Sequence, residues 1–142
     1  MENITRFRGE YEFLSNYYEA PLTYNGFTYG SSEAAYQGAK CGEAELFSGL
    51  RPHQSKTEAR KLPTREDWDD VKLEVMEEIV RAKFTQNEEL AERLLKTGDA
   101  MIVEENNWHD TFWGVDGKTG EGCNHLGKIL MKIREELRGT MV

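Results

Sequence analysis

Apolar positions recur at helical spacing in three stretches of the chain. Trp68, Val71, Val75, Met76, Ile79, Val80 and Phe84 fall on one stripe and predict an amphipathic helix over residues 67–84. Asn124 opens a final helix that buries Leu126, Ile129, Leu130, Ile133 and Leu137. Asn87 caps another, which carries Leu90, Leu94 and Leu95 and closes at Gly98. Two shorter helices rest on capping signals. Ser31-Ser32 precede a helix from Glu33 to Lys40 or Cys41, and Ser55-x-x-Glu58 reads as a capping box that opens a helix through Lys61. Residues 7–29 are rich in Phe and Tyr and broken by Gly9, Asn16, Asn25-Gly26 and Gly30. That pattern predicts short strands and loops, with Asn25-Gly26 as a hairpin turn. Ala100 to Val103 reads as a buried strand or extended segment. The expectation is an α+β fold, mainly helical with a few short strands, in a single domain covering residues 1–142.

Composition narrows the class. The 142 residues suit one domain, and a 38% apolar, 11% aromatic content is enough for a packed core. Eighteen Lys and Arg against 26 Asp and Glu give a net charge of -8, which excludes a general basic footprint for nucleic acid. No apolar run approaches the length of a membrane span, and Met1-Glu2-Asn3-Ile4 has no apolar signal region, so a cytoplasmic location is expected and no membrane partner. Cys41 and Cys123 form no C-x-x-C pair, which suits a reducing compartment.

Candidate chemistry gathers in two places. On the helix that starts at Glu33, the residues Glu33, Tyr36, Gln37 and Lys40 stand at i, i+3, i+4 and i+7, one continuous polar face, while Ala34, Ala35, Gly38 and Ala39 cover the rest. Small residues let a helix pack closely, so the stripe either faces a pocket with an acid, a phenol, an amide and an amine, or is a solvated surface. The second concentration is the Gly-rich loop of residues 104–124, where Glu104, Glu105, Asp110, Asp116 and Glu121 mix with Trp108, Phe112 and Trp113. Its rings offer stacking faces for a base, and the turn into the helix at Asn124 offers backbone N–H groups to a phosphate. The alternative is that the aromatics pin the loop and the glycines serve turns.

Other chemistries lose support. His53, His109 and His125 stand at no metal-ligand spacing, so no metal or redox cofactor is expected, although the loop carboxylates can take Mg²⁺ opportunistically. There is no G-x-S-x-G, Walker or G-x-G-x-x-G sequence. Cys41 beside Lys40 reads at least as well as a core thiol as a nucleophile.

The ordered series Phe13-Leu14-Ser15-Asn16-Tyr17-Tyr18, Ser32-Glu33-x-x-Tyr36-Gln37-x-x-Lys40, Trp68, Met76, Ala82-Lys83-Phe84, Leu94-Leu95-x-Thr97-Gly98, Glu104, Asp110-x-x-Trp113-Gly114 and Asn124-x-Leu126-Gly127-x-x-Leu130-Met131 resembles the NADAR family, also called YbiA-like. The resemblance runs from about Phe7 to Leu137. It implies a small α+β N-glycosidase that cuts a ribose C–N bond. The substrate is either a phosphoribosylamino-pyrimidine intermediate of riboflavin synthesis or ADP-ribose linked to a guanine base in nucleic acid. By resemblance the pocket comprises Glu33, Gln37, Lys40, Trp68, Glu104, Asp110, Trp113 with Gly114, and Asn124. Three features depart from the family pattern and bear on substrate choice: Ala34 after the motif glutamate, Cys41 after the motif lysine, and the longer turn Trp113-Gly114-Val115-Asp116-Gly117.

For such a reaction Lys40, Glu33 and Asp110 are the catalytic candidates. Lys40, if its amine is neutral in an apolar pocket, attacks the anomeric carbon or its ring-opened form and passes through a Schiff base. Alternatively Lys40 only binds, and Glu33 or Asp110 activates water. Trp68, Trp113 and Tyr36 would wall the base. A DNA-linked substrate would require local contact with single-stranded DNA through a basic rim, for which Arg51, His53, Lys56, Arg60, Lys61 and Arg65 are the densest set. The rival class is a non-catalytic module that binds NAD or ADP-ribose.

Overall fold

The structure, a computed structural model, describes residues 2–140. The described residues form two compact units, residues 16–88 and residues 2–15 with 89–140. The fold class is α+β and mainly helical with short strands, and no helix among the described residues is long and apolar enough to cross a membrane.

In the unit of residues 16–88, β1 (Glu19–Tyr24) and β2 (Phe27–Ser31) form the expected antiparallel hairpin. Asn25 and Gly26 both take positive φ, 49° and 86°, the backbone a two-residue turn between twisted strands requires. The chain then enters α1 (Ser32–Cys41). The Ser31 hydroxyl accepts from the Ala34 N–H at 3.1 Å, so Ser31 is the cap, and Gly42 ends the helix in the left-handed region at φ 68°. α1 packs on α2 (Ala44–Ser48), α3 (Pro52–Ala59) and α4 (Trp68–Gln86), as well as on the hairpin. The small residues make that possible. A Cβ on Gly38 would lie 3.2 Å from both Phe47 Cβ and a Tyr29 ring carbon, tighter than ordinary van der Waals contact. On α4 the predicted stripe is buried at Trp68, Val75, Met76, Ile79, Val80 and Phe84, each large side chain contributing roughly 1.5–3 kcal/mol relative to exposure. Val71 is only half-buried.

One expectation in this unit fails, and one helix is unforeseen. Ser55-x-x-Glu58 is not a capping box, because the helix begins three residues earlier at Pro52 and ends at Ala59 rather than Lys61. Ser55 lies inside it and turns its hydroxyl back to the Arg51 carbonyl at 2.9 Å, while the Gln54 side chain caps the Arg51 N–H at 2.9 Å. The short α2 has no capping or periodic signal in the sequence and is an addition to the expected elements.

In the other unit, residues 9–14 form a 3-10 turn, not a strand. Its Phe13 ring lies under the Arg93 guanidinium at 4.3 Å, and Arg93 Nη2 donates to the Glu10 carbonyl. α5 (Glu88–Leu95) buries Leu90 and Leu94 and gives way to Gly98 at φ 62°. The 100–103 segment is extended: Ile4 and Ile102 form a parallel bridge, with Ile4 N–H on Met101 O and Val103 N–H on Ile4 O, both 2.8 Å. Two-residue strands β3 (Glu105–Asn106) and β4 (Val115–Asp116) pair in parallel inside the long loop. α6 (His125–Thr140) buries Leu126, Ile129, Leu130, Ile133 and Leu137 as expected. It also buries Arg134, whose guanidinium donates to Thr97 Oγ1 at 3.0 Å and the Ala100 carbonyl at 2.9 Å.

Candidate active site

The polar stripe of α1 is not a solvated face. Glu33 is 8% exposed, Tyr36 9% and Gln37 8%, so an acid, a phenol and an amide are packed inside, while Lys40 at the end of the stripe is half-buried. The start of the helix is fixed by Asn16, whose carbonyl accepts the Glu33 N–H at 3.0 Å and whose Oδ1 accepts the Ser32 hydroxyl at 2.8 Å. Those bonds satisfy groups of the first turn that no helical partner can reach, and they set the position of Glu33.

Glu33 Oε2 accepts from Gln37 Nε2 at 2.7 Å. Burial pushes the Glu33 carboxyl above the usual carboxylate range, against the opposing pull of the Gln37 amide and then of the Lys56 and Lys40 charges. The group is thus kept ready to hold a proton. Tyr17 faces the same carboxyl: burial raises its phenol first and the Glu33 charge adds to that, while Arg60 pulls the other way. Lys56 Nζ lies 5.9 Å from the Tyr17 ring centroid. Tyr36 and Trp68 stack with centroids 5.1 Å apart at 60°, so α1 and α4 together place two flat faces beside the stripe. Within this unit the structure therefore joins Glu33, Tyr36, Gln37 and Trp68. Sequence reasoning does not connect Tyr17 and Lys56 with Glu33, because contacts that span α1, α3 and the segment before β1 leave no spacing signal.

Gln37 presents an anomaly. Its Oε1 is the single buried side-chain oxygen or nitrogen without a hydrogen-bond partner among the described residues. Such an orphan acceptor costs about 1–3 kcal/mol of folding stability.

Burial of the kind imagined for Lys40 occurs instead at Lys83 on α4. It is 1% exposed, with Nζ 5.8 Å from the Tyr18 ring centroid and 5.3 Å from that of Phe84, and burial lowers its amine from 10.5 to about 7. Of the basic set, Arg51 pairs with Glu19 at 3.0 Å, Lys61 with Glu58 at 3.4 Å and Arg65 with Asp67 at 2.6 Å. Arg51, Lys61 and Arg65 are therefore engaged with acids of their own unit.

In the loop of the other unit, Asn106 is the hub, a residue that no sequence motif marks. Buried at 3%, it accepts on Oδ1 from the Asp110 N–H at 3.0 Å and the Trp108 N–H at 3.3 Å. Its Nδ2 donates to Glu104 Oε2 at 3.0 Å and to the Asp110 carbonyl at 2.9 Å. Asp110 Oδ1 accepts the N–H groups of Phe112 and Trp113 at 3.1 and 2.9 Å, an Asx turn that shapes the tight bend. Trp113 is half-buried and meets Phe112 edge-on at 4.8 Å, and Phe112 in turn lies 4.6 Å from the His125 ring. Asn124, in the left-handed region at φ 54°, accepts the Glu104 N–H at 2.9 Å and donates to the Ile102 carbonyl at 3.0 Å. Gly114 has no room for a side chain: a Cβ there would sit 1.8 Å from Glu104 Oε2. At the opposite wall of the loop His109 Nδ1 lies 2.7 Å from Asp116 Oδ2, and that contact holds the Asp116 carboxyl below its usual range.

The expectation of free N–H groups at the start of α6 is overturned. The amides of Cys123, Asn124, His125 and Leu126 donate to the carbonyls of Thr111, Gly114, Phe112 and Trp113 at 2.8–3.2 Å. The loop folds back on the helix N-terminus and occupies the donors a phosphate would need.

A family model described as the NADAR domain matches residues 5–138, and the chain belongs to that family. It is 36% identical over 134 residues to the N-glycosidase YbiA of Escherichia coli, covering 90% of this chain and 82% of that protein. It is 42% identical over 132 residues to a riboflavin biosynthesis protein of Vibrio vulnificus; the match covers 89% of this chain but only 35% of that longer relative. The NMR structure of the Escherichia coli protein YbiA superposes with a TM-score of 0.85 at 34% identity, over 99% of this chain and 89% of that one.

Proposed function

We propose that the chain is an N-glycosidase that hydrolyses the C–N bond between a phosphorylated ribose and an aminopyrimidine of riboflavin biosynthesis, acting in the cytoplasm as one NADAR domain. The observation that carries the chemistry is the buried Glu33 carboxyl, held by Gln37 and kept above the usual carboxylate range, on the same helical face as Lys40. The names of the relatives, an N-glycosidase and a riboflavin biosynthesis protein, support the reaction and the substrate.

Breaking such a bond requires a proton for the departing nitrogen and a group to take its place at the anomeric carbon. Glu33 is the proton donor of this scheme. Lys40, half-buried at the end of the stripe, is the amine: in its deprotonated form it adds to the ring-opened form of the sugar, the aminopyrimidine leaves with its nitrogen protonated by Glu33, and water then releases the sugar aldehyde from the Schiff base and returns the amine. Tyr36 and Trp68 wall the base. Glu104, Trp113, Gly114 and Asn124 contribute the shape of the 104–124 loop. The same holds for Asp110, because the two N–H groups on Oδ1 suit it to positioning more than to activating water.

The second substrate, ADP-ribosylated guanine in single-stranded DNA, contains the same class of bond. It is the less favoured of the two here because Arg51, Lys61 and Arg65 already pair with acids. A pure ADP-ribose binder has no use for a buried proton donor. Sodium borohydride added during turnover tests the scheme: a reduced sugar adduct on Lys40 supports it, and an active enzyme that never forms the adduct leaves water as the direct attacker. Lys40→Ala that keeps ligand affinity and loses turnover separates an enzyme from a binder.

A further inference from the structure

We propose that Gln37 Oε1 is a specificity contact, the acceptor for an exocyclic amino group on the base that leaves. This rests on the N-glycosidase reading of the α1 site and names the feature of the substrate that the site selects.

The orientation of the amide is fixed by its neighbour. Gln37 Nε2 donates to Glu33 Oε2 at 2.7 Å, and the carbonyl end of the amide points the other way. That carbonyl has no partner among the described residues and essentially no contact with solvent. Elsewhere buried polar side chains are satisfied: Arg134 finds Thr97 and Ala100, and Asn106 and Asn124 use both ends of their amides. An acceptor left open only here, beside the proton donor and on the helix that carries Tyr36, is matched by a ligand that brings a donor. An amino substituent supplies one. A hydrogen leaves the orphan unmet, and a ring oxo group sets two oxygens against each other, so each is rejected. Buried groups left unpaired by the wrong substrate discriminate far more strongly than a missing apolar contact does.

The test compares two phosphoribosylamino-pyrimidines that differ only in whether one ring carbon carries an amino group or a hydrogen, measured with wild type and Gln37→Met. For at least one ring position, wild type should favour the amino substrate in kcat/KM by about 10- to 100-fold, and Gln37→Met should bring the ratio close to one. Loss of the Gln37 bond to Glu33 lowers both rates together and leaves the ratio intact, so the ratio isolates Oε1. A ratio that survives in Gln37→Met, or wild type indifferent to the amino group at every position, overturns the assignment. If wild type cleaves neither substrate, the N-glycosidase reading fails on its own. Thermal shift with the free aminopyrimidine and its hydrogen analogue then decides: stabilisation by the amino form alone, lost in Gln37→Met, upholds the contact, and equal shifts reject it.

Discussion

Replacing Lys83 by Met should remove a specific pH dependence of folding stability. The amine is fully buried against Tyr18 and Phe84, and burial lowers it from 10.5 to about 7. Between about pH 7 and 10.5 the unfolded chain therefore holds a proton that the folded chain has released, and stability rises with pH across that window at no more than about 1.4 kcal/mol per unit. Below about pH 7 both states are protonated and the slope disappears; above 10.5 both are neutral. Integrating the linkage from pH 7 to 9 gives a gain of about 2 kcal/mol for wild type relative to Lys83→Met, out of about 5 kcal/mol over the whole window. For a chain of this size that corresponds to roughly 4–8 °C in melting temperature. Methionine has similar length and no titrating group, so other ionisable residues cancel in the difference. Urea unfolding of both proteins at pH 7, 8 and 9 measures it. Parallel profiles would show that the amine is not desolvated in the folded state.

Other substitutions follow from the geometry. Gly114→Ala puts a Cβ within 1.8 Å of Glu104 Oε2 and should destabilise by at least about 2–3 kcal/mol in chemical denaturation, by forcing β3 and β4 apart. Asn124→Ala loses the bonds to Glu104 and Ile102 and places alanine at φ 54°, for a cost of about 3 kcal/mol, and Asn124→Gly should recover part of it by relieving the backbone. Glu33→Gln removes a buried carboxyl, so its melting temperature should hold or rise while kcat drops by about 10²–10⁴-fold.

Elements set by local chemistry are legible in the amino-acid sequence itself. The Asn25-Gly26 turn, the Ser31 cap and the α4 stripe each depend on residues close in sequence, and each is found where spacing puts it. α3 departs from its capping signal because Ser55 can bond either forward as a cap or back to Arg51, and Pro52 favours the earlier start. The candidate site shows the same boundary. A helical wheel puts Glu33, Gln37 and Lys40 on one face but does not distinguish a pocket from solvent; that depends on the hairpin, α2, α3 and α4 packing around α1. The 104–124 segment is recognisable as a long aromatic loop. Its organisation by Asn106 is not, because one amide satisfying three backbone groups and a carboxylate has no signature in sequence.

The central claim is that α1 carries an N-glycosidase site with Glu33 and Lys40 at work. Its most direct test is mass spectrometry of two substrates in parallel, a phosphoribosylamino-pyrimidine and ADP-ribosylated guanine in single-stranded DNA, with wild type, Glu33→Gln and Lys40→Ala. Release of the free aminopyrimidine by wild type, abolished in both folded variants, is the predicted result. Undiminished release by Glu33→Gln, or no release from either substrate by the folded wild type, would contradict it.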